Sequence, residues 1–103
     1  MKTYWSKDEG IKVKKINGDD IWNLDDTFLI IICESLKYFR ANHTGFPPFA
    51  ENDDEWNNIL DDVVDKFQKV IDAKYNINQE NKLDTLLHEA FEAFEKVFFA
   101  LWI

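Results

Sequence analysis

Residues 53–74 have the sequence DDEWNNILDDVVDKFQKVIDAK, and this stretch decides the fold. Its apolar residues recur at spacings of three and four, which is the period of one face of an α-helix. Asn52 and Glu55 have the spacing of a capping box, in which each side chain binds a free backbone N–H group of the first turn. The stretch therefore predicts a long amphipathic helix over residues 53–74. Its apolar stripe comprises Trp56, Ile59, Leu60, Val63, Val64, Phe67, Val70 and Ile71.

Two further helices are predicted, one on each side of this stretch. Residues 28–33 are apolar all round, so we expect the helix over residues 27–42 to be enclosed on several sides. Asp25 or Asp26 is expected to cap its start. A third helix is predicted over residues 80–102, with a broad apolar face that ends in several aromatic residues. The connection over residues 44–49 contains Pro47 and Pro48 and is expected to be stiff.

The N-terminal residues have a different pattern. Residues 11–16 alternate apolar and basic at first, which favours a short half-buried strand, and Asn17-Gly18 is a strong turn dipeptide. Whether a second strand near Ile21-Trp22 completes a hairpin is left open by the sequence. The predicted fold is mainly α, a three-helix bundle with a short N-terminal β-strand or hairpin. We expect a single domain over residues 1–103, with residues 1–22 as a basic β segment.

The charge distribution restricts the classes of partner that the chain could bind. The chain carries a formal net charge of −8, but residues 1–16 carry five lysines against Asp8 and Glu9, so the remainder carries −11. An acidic body argues against binding to a nucleic acid duplex, which requires a basic face. The apolar run of residues 28–33 is too short to span a bilayer. We expect a cytoplasmic protein with no membrane partner.

Few residue patterns point to catalysis or to a cofactor. Cys33, the only cysteine, falls in the most apolar run and is expected to behave as a small buried hydrophobe. Neither serine lies at a Gly-rich elbow, and His88 with Glu92 has the spacing of an ordinary contact between successive helical turns. The acidic pairs of residues 62 and 65 and of residues 89 and 92 face away from the apolar stripes. The sequence therefore predicts a protein that is not an enzyme and has no metal or other cofactor.

Seven residues are candidates for binding a ligand or partner: Trp22, Asp25, Thr27, Glu34, Tyr38, Arg40 and Trp56. Arg40, Tyr38, Trp22 and Trp56 could together line an aromatic pocket that stacks a nucleotide base. Glu34 is an acid within the most apolar helix, and we expect it to pair with Lys12, Lys14 or Arg40, to be exposed, or to contact a ligand or partner. The start of the first long helix could bind an anion near Thr27, although Asp25 and Asp26 already occupy that position.

Several residue blocks follow one another in a distinctive order. They are Ile11-Lys12-Val13, Trp22-x-Leu24-Asp25-x-Thr27, Leu36-x-x-Phe39, Gly45-Phe46-Pro47, Glu55-Trp56, Ile59-Leu60-Asp61 and Leu101-Trp102. Their order resembles a family of small uncharacterised proteins encoded by tailed bacteriophages and prophages. The likeness covers roughly residues 11–102, and Asp26 stands where the family pattern has His. The resemblance implies a phage or prophage setting, and it implies no mechanism.

Three functions are compatible with these features. The leading hypothesis is a non-enzymatic phage accessory protein that binds a host component and neutralises or redirects it, with inhibition of antiviral defence as the natural role. The alternatives are a protein that binds or sequesters a small nucleotide signal, and a virion assembly protein. In all three cases the surplus of apolar helix face predicts a homodimer.

Overall fold

The chain folds into a mainly helical bundle. The computed structural model describes the backbone of residues 2–6, 10–14, 16 and 18–102, and the side chains of residues 16, 19, 21–76 and 78–102. Within these ranges the elements are β1 (Lys2–Ser6), β2 (Gly10–Lys14), α1 (Gly18–Ile21), α2 (Leu24–Asn42), α3 (Asp53–Lys74), a 3₁₀ helix (Ile77–Lys82), α4 (Leu83–Val97) and a final 3₁₀ turn (Phe98–Ala100). No helix among the described residues is long and apolar enough to cross a membrane.

The N-terminal elements differ from the predicted arrangement. Strands β1 and β2 pair antiparallel with each other, with Lys2 opposite Lys14 and Ser6 opposite Gly10. The second strand that the sequence left open near Ile21-Trp22 is not formed, because residue 21 ends helix α1 and residue 22 lies in a turn. The predicted Asn17-Gly18 turn involves Asn17, which lies outside the described residues.

Helix α3 is the central element of the bundle. It packs against both α2 and α4, whereas no Cα atom of α2 lies within 8 Å of a Cα atom of α4. The fully buried large side chains of the core come mostly from its apolar stripe: Trp56, Leu60, Val63, Phe67 and Val70. Because the stripe is covered from two directions, α3 is the helix whose position the sequence determines most strongly.

The start of α3 has the expected cap. The Asn52 side-chain oxygen accepts a hydrogen bond from the Glu55 backbone N–H at 2.8 Å, and the Glu55 carboxylate accepts one from the Glu51 N–H at 2.8 Å. The reciprocal bond thus goes to the residue before the cap and not to Asn52 itself. Acidic residues Asp53 and Asp54 fill the first turn, where the helix dipole favours negative charge.

The start of α2 differs from the prediction. The helix begins at Leu24, three residues earlier than expected, and Asn23 precedes it in the left-handed region with φ of 54° and ψ of 46°. Asp25 and Asp26 therefore lie inside the first turn and do not cap the helix. The expectation that residues 28–33 are enclosed on several sides is also wrong: Leu29 and Cys33 are buried, but Phe28, Ile30 and Ile31 are about half exposed.

Polar side chains connect α2 to α3. Arg40 donates two hydrogen bonds to the Asp61 carboxylate, at 3.0 and 3.4 Å. His43 Nε2 lies 2.5 Å from the Asn57 side-chain oxygen. Contacts between α3 and α4 are apolar instead, and Phe67 meets the rings of Phe91 and Phe94 edge-on at 5.3 and 5.6 Å.

Candidate functional site

An apolar groove lies between α2 and α4, with α3 as its floor. We call it the α2–α4 groove; it encloses about 230 Å³ and is lined by Asp25, Phe28, Leu29, Val70, Lys74, Leu83, Leu87 and Phe91. Apolar side chains form most of the lining, and the charged groups of Asp25 and Lys74 lie at one end. Such concave, mostly apolar lining is typical of a binding site.

The groove follows from the width of the apolar face of α4. Ala90 and Val97 are fully buried, whereas Leu87 and Phe91 on the neighbouring side of the helix remain partly exposed. Residues 83, 87 and 91 repeat every four positions, so they line one side of the helix. The stripe is therefore wider than α3 alone can cover, and its free half forms one wall of the groove.

The opposite wall comes from α2. Leu29 is buried against the core, while Phe28 is 52% exposed and lines the groove. Ile30 is similarly exposed at 48% but does not line the groove, because two residues along an α-helix correspond to a rotation of about 200°. Only one of the two exposed apolar faces of α2 thus contributes to this site.

An ion-pair cluster closes one end of the groove. Lys74 Nζ lies 2.5 Å from Asp25 Oδ2, and it also pairs with the Asp26 carboxylate. The hydrogen bond from Lys74 lowers the pKa of Asp25, and the hydrogen bonds to Asp25 and Asp26 raise the pKa of Lys74. Asp25 and Lys74 therefore stay charged over the neutral range. The formal charges of the two carboxylates and the one ammonium group sum to −1.

A second apolar surface lies at the other end of the bundle. We call it the C-terminal aromatic patch, and it consists of Tyr38, Phe49, Phe98, Phe99 and Trp102. All five side chains are about half exposed or more. Trp102 lines one shallow depression with Tyr38 and another with Phe49 and Phe99, so the patch is continuous.

The residues proposed for a nucleotide pocket do not come together. Trp56 is 0% exposed and packs against Phe39 and Phe49, so its ring offers no face to a ligand. Arg40 is held by Asp61. Trp22 and Tyr38 are both exposed, but Trp22 lies before the start of α2 at Leu24, and the helix from Leu24 to Tyr38 spans roughly 21 Å.

The other candidate residues have local partners. Glu34 is exposed and pairs with Lys37 at 3.2 Å, not with Arg40; the side chains of Lys12 and Lys14 lie outside the described ones. Thr27 donates its hydroxyl to the Asn23 carbonyl at 3.4 Å. Of the seven candidates, Asp25 alone lines the α2–α4 groove.

Residues with reactive or metal-binding side chains are dispersed. Cys33 is 1% exposed, as expected, and burial raises the pKa of its thiol. His88 Nε2 contacts the Glu92 carboxylate at 3.2 Å, the contact that their spacing predicts. Among the described residues, no three His, Cys, Asp or Glu side chains are grouped so that they could hold a metal ion.

The sequence alone does not predict the groove, although it carries part of the signal. The repeat of Leu83, Leu87 and Phe91 indicated a broad apolar face, but its exposure depends on the distance between α2 and α4.

In comparisons with known proteins, no family model matches the chain, and neither a curated protein nor a solved structure matches it.

Proposed function

We propose that this chain is a non-enzymatic binding protein whose α2–α4 groove takes the apolar face of an amphipathic helix from another protein. The observation that carries the proposal is the open groove, in which Phe28, Leu87 and Phe91 expose apolar surface on two walls over a buried floor. An amphipathic helix laid into a hydrophobic groove is a recurrent mode of recognition between proteins.

The volume of the groove favours a side-chain anchor over a small molecule. Pockets that hold whole small molecules typically measure about 300–1,000 Å³. The groove encloses about 230 Å³, and its lining offers one cation, Lys74, that two carboxylates already neutralise. A nucleotide phosphate would meet the carboxylate of Asp25, so the groove favours an apolar ligand with no negative charge.

The charge of the chain favours one kind of amphipathic helix as the ligand. The residues after position 16 carry a net charge of −11. The exposed Asp25 lines the groove, and the exposed Asp84 follows the lining residue Leu83 in the chain. A helix with basic residues beside its apolar face would be attracted to this surface, and the attraction would increase its association rate. We therefore propose a basic amphipathic helix as the ligand.

The biological role follows from the resemblance to small proteins of tailed bacteriophages. In that setting the partner is a host protein, and occupying one of its helices would neutralise or redirect it. Inhibition of an antiviral defence protein is the role that we propose.

The test uses a synthetic helical peptide of Leu, Phe and Lys arranged with one apolar face, and a scrambled peptide of the same composition. We expect the amphipathic peptide to bind at micromolar concentration and to shift the NMR signals of residues 28, 87 and 91. The scrambled peptide is expected to bind at least tenfold more weakly. Equal binding of both peptides, or shifts confined to the other end of the bundle, would contradict the proposal.

Matched variants on α2 make the test specific. Phe28→Glu places a charge in the groove, whereas Ile30→Glu places the same charge at an equally exposed position on another face. We expect Phe28→Glu to weaken the peptide at least tenfold and Ile30→Glu to leave it within about twofold. A host protein that the unmodified chain and Ile30→Glu retain, and that Phe28→Glu loses, would identify the partner.

A further inference from the structure

We infer that the C-terminal aromatic patch is a homodimer interface, in which two copies of the chain pair their patches about a twofold axis. This surface lies outside the α2–α4 groove and serves a different purpose. The exposure of its residues is the first observation, since Phe99 is 89% exposed and Trp102 is 82% exposed.

The backbone holds the patch in place. Helix α4 ends at Val97, and the 3₁₀ turn Phe98–Ala100 follows at once. Val97 and Ala100 are buried, so the turn is anchored from inside while Phe98 and Phe99 point outward. The two rings meet edge-on at 5.3 Å. A preformed aromatic surface loses little side-chain entropy on association.

Phe49 is fixed in a similar way. Its ring meets the buried ring of Trp56 edge-on at 5.8 Å, so the loop before α3 is attached to the core. Phe49 shares a depression with Phe99 and Trp102. The patch therefore combines the loop before α3 with the end of α4, and the core holds both in fixed positions.

The area of the patch matches one side of a dimer. An aromatic side chain has about 200 Å² of surface, so the exposed fractions of the five residues amount to roughly 700 Å². The largest apolar patch of a typical monomer is about 300–600 Å². A standard interface buries about 800 Å² per partner, so a second copy seated on the patch and its polar rim would reach that size.

Charge also favours a second copy at this place. The chain carries a net charge of −8, so most of its surface repels another copy. Two residues of opposite charge, Glu95 and Lys96, line the same depression as Phe99 and Trp102. Neither forms an ion pair with another side chain that the structure describes. Across a twofold axis, Lys96 of each copy would face Glu95 of the other, as a self-complementary interface requires.

The first experiment measures mass by sedimentation equilibrium between 1 and 100 micromolar. We expect twice the chain mass of 12.3 kDa for the unmodified protein and the monomer mass for Phe99→Glu and Trp102→Glu. Circular dichroism spectra and melting midpoints at low concentration are expected to stay unchanged, because both side chains are exposed. A monomeric unmodified protein would overturn the inference. So would a dimer that Phe28→Glu separates and Phe99→Glu does not.

The second experiment tests the pairing of the rim charges. Lys96→Glu and Glu95→Lys each place like charges across the axis, and each is expected to weaken self-association about three- to tenfold. Mixing the two variants restores opposite charges, so the mixed dimer is expected to form as readily as the unmodified one. If the mixture dimerises no better than either variant alone, the twofold arrangement is wrong.

Discussion

Lys74 at the end of α3 and Asp25 in the first turn of α2 form an ion pair with 2.5 Å between Nζ and Oδ2, across 49 positions of the chain. Asp26 binds the same ammonium group. The cluster brings two carboxylates to the positive end of the α2 dipole and a cation to the negative end of the α3 dipole, so both helix ends favour it. It also closes one end of the α2–α4 groove.

The ion pair predicts a pH dependence of stability. The hydrogen bond from Lys74 lowers the pKa of Asp25 below its ordinary value of 3.8, so its contribution is present above that pH and is lost as the pH falls through the lowered pKa. Lys74 has a raised pKa, so its contribution is present below its ordinary value of 10.5 and is lost as the pH rises through the raised pKa.

Melting curves of the unmodified chain and Asp25→Asn test the predicted loss of the Asp25 contribution to stability at low pH. The variant is expected to melt at a lower temperature at pH 7, by an amount that is constant down to about pH 4 and then shrinks toward zero in more acidic buffer. Because Asp25 is largely exposed, 1 M salt is expected to reduce the difference. A difference that does not change between pH 2 and pH 7 would exclude the ion pair as its source.

Substitution of a buried core residue of α3 is expected to cause a large loss of stability. Phe67 is fully buried and contacts two aromatic rings of α4, so Phe67→Ala removes a ring from a closed space and leaves a cavity. We expect a loss of about 3–5 kcal/mol in the free energy of unfolding, measured by urea denaturation. Trp22→Ala, at an exposed position, is the control and is expected to change it by less than about 0.5 kcal/mol. Similar effects of the two variants would contradict the central position of α3.

Substitution of the capping residue of α3 is expected to have a smaller effect on the free energy of unfolding, which depends on whether the new side chain can accept a hydrogen bond. Asn52→Ala removes the acceptor for the Glu55 N–H and is expected to cost about 1 kcal/mol. Asn52→Asp retains an acceptor at the same place, so its unfolding free energy is expected to stay within a few tenths of a kcal/mol of the original. If the aspartate variant loses as much as the alanine variant, the hydrogen bond is not the cause.

The fold could be predicted where local signals agreed. The bounds of α3 coincide with the predicted range because an apolar stripe, a cap and an acidic first turn all indicate the same helix. The start of α2 was misplaced because Asn23 adopts a left-handed conformation and the nearby carboxylates bind Lys74, a residue of another helix. Neither fact is visible in the local sequence.

The candidate site was harder to predict than the fold. Trp56 belongs to the α3 stripe with Leu60 and Val63, and that spacing already indicated a buried ring and not a ligand contact. The α2–α4 groove depends on how far α3 holds its two neighbours apart, which is a tertiary property. Sequence periodicity shows that a helix face is apolar, but it does not show whether another helix covers that face.

The burial of Cys33 predicts slow reaction with thiol reagents. Its side chain is 1% exposed, and burial raises the pKa of the thiol, so little reactive thiolate forms in the folded protein. We expect labelling by an aromatic disulfide reagent at pH 8 to be at least a hundredfold slower in buffer than in 6 M urea. The Phe67→Ala variant opens more often and is expected to label faster than the unmodified chain, with the logarithm of the rate rising in proportion to the lost stability. Rapid labelling of the unmodified folded protein would show that α2 separates from α3 far more readily than the packing of Cys33, Leu29 and Leu36 allows.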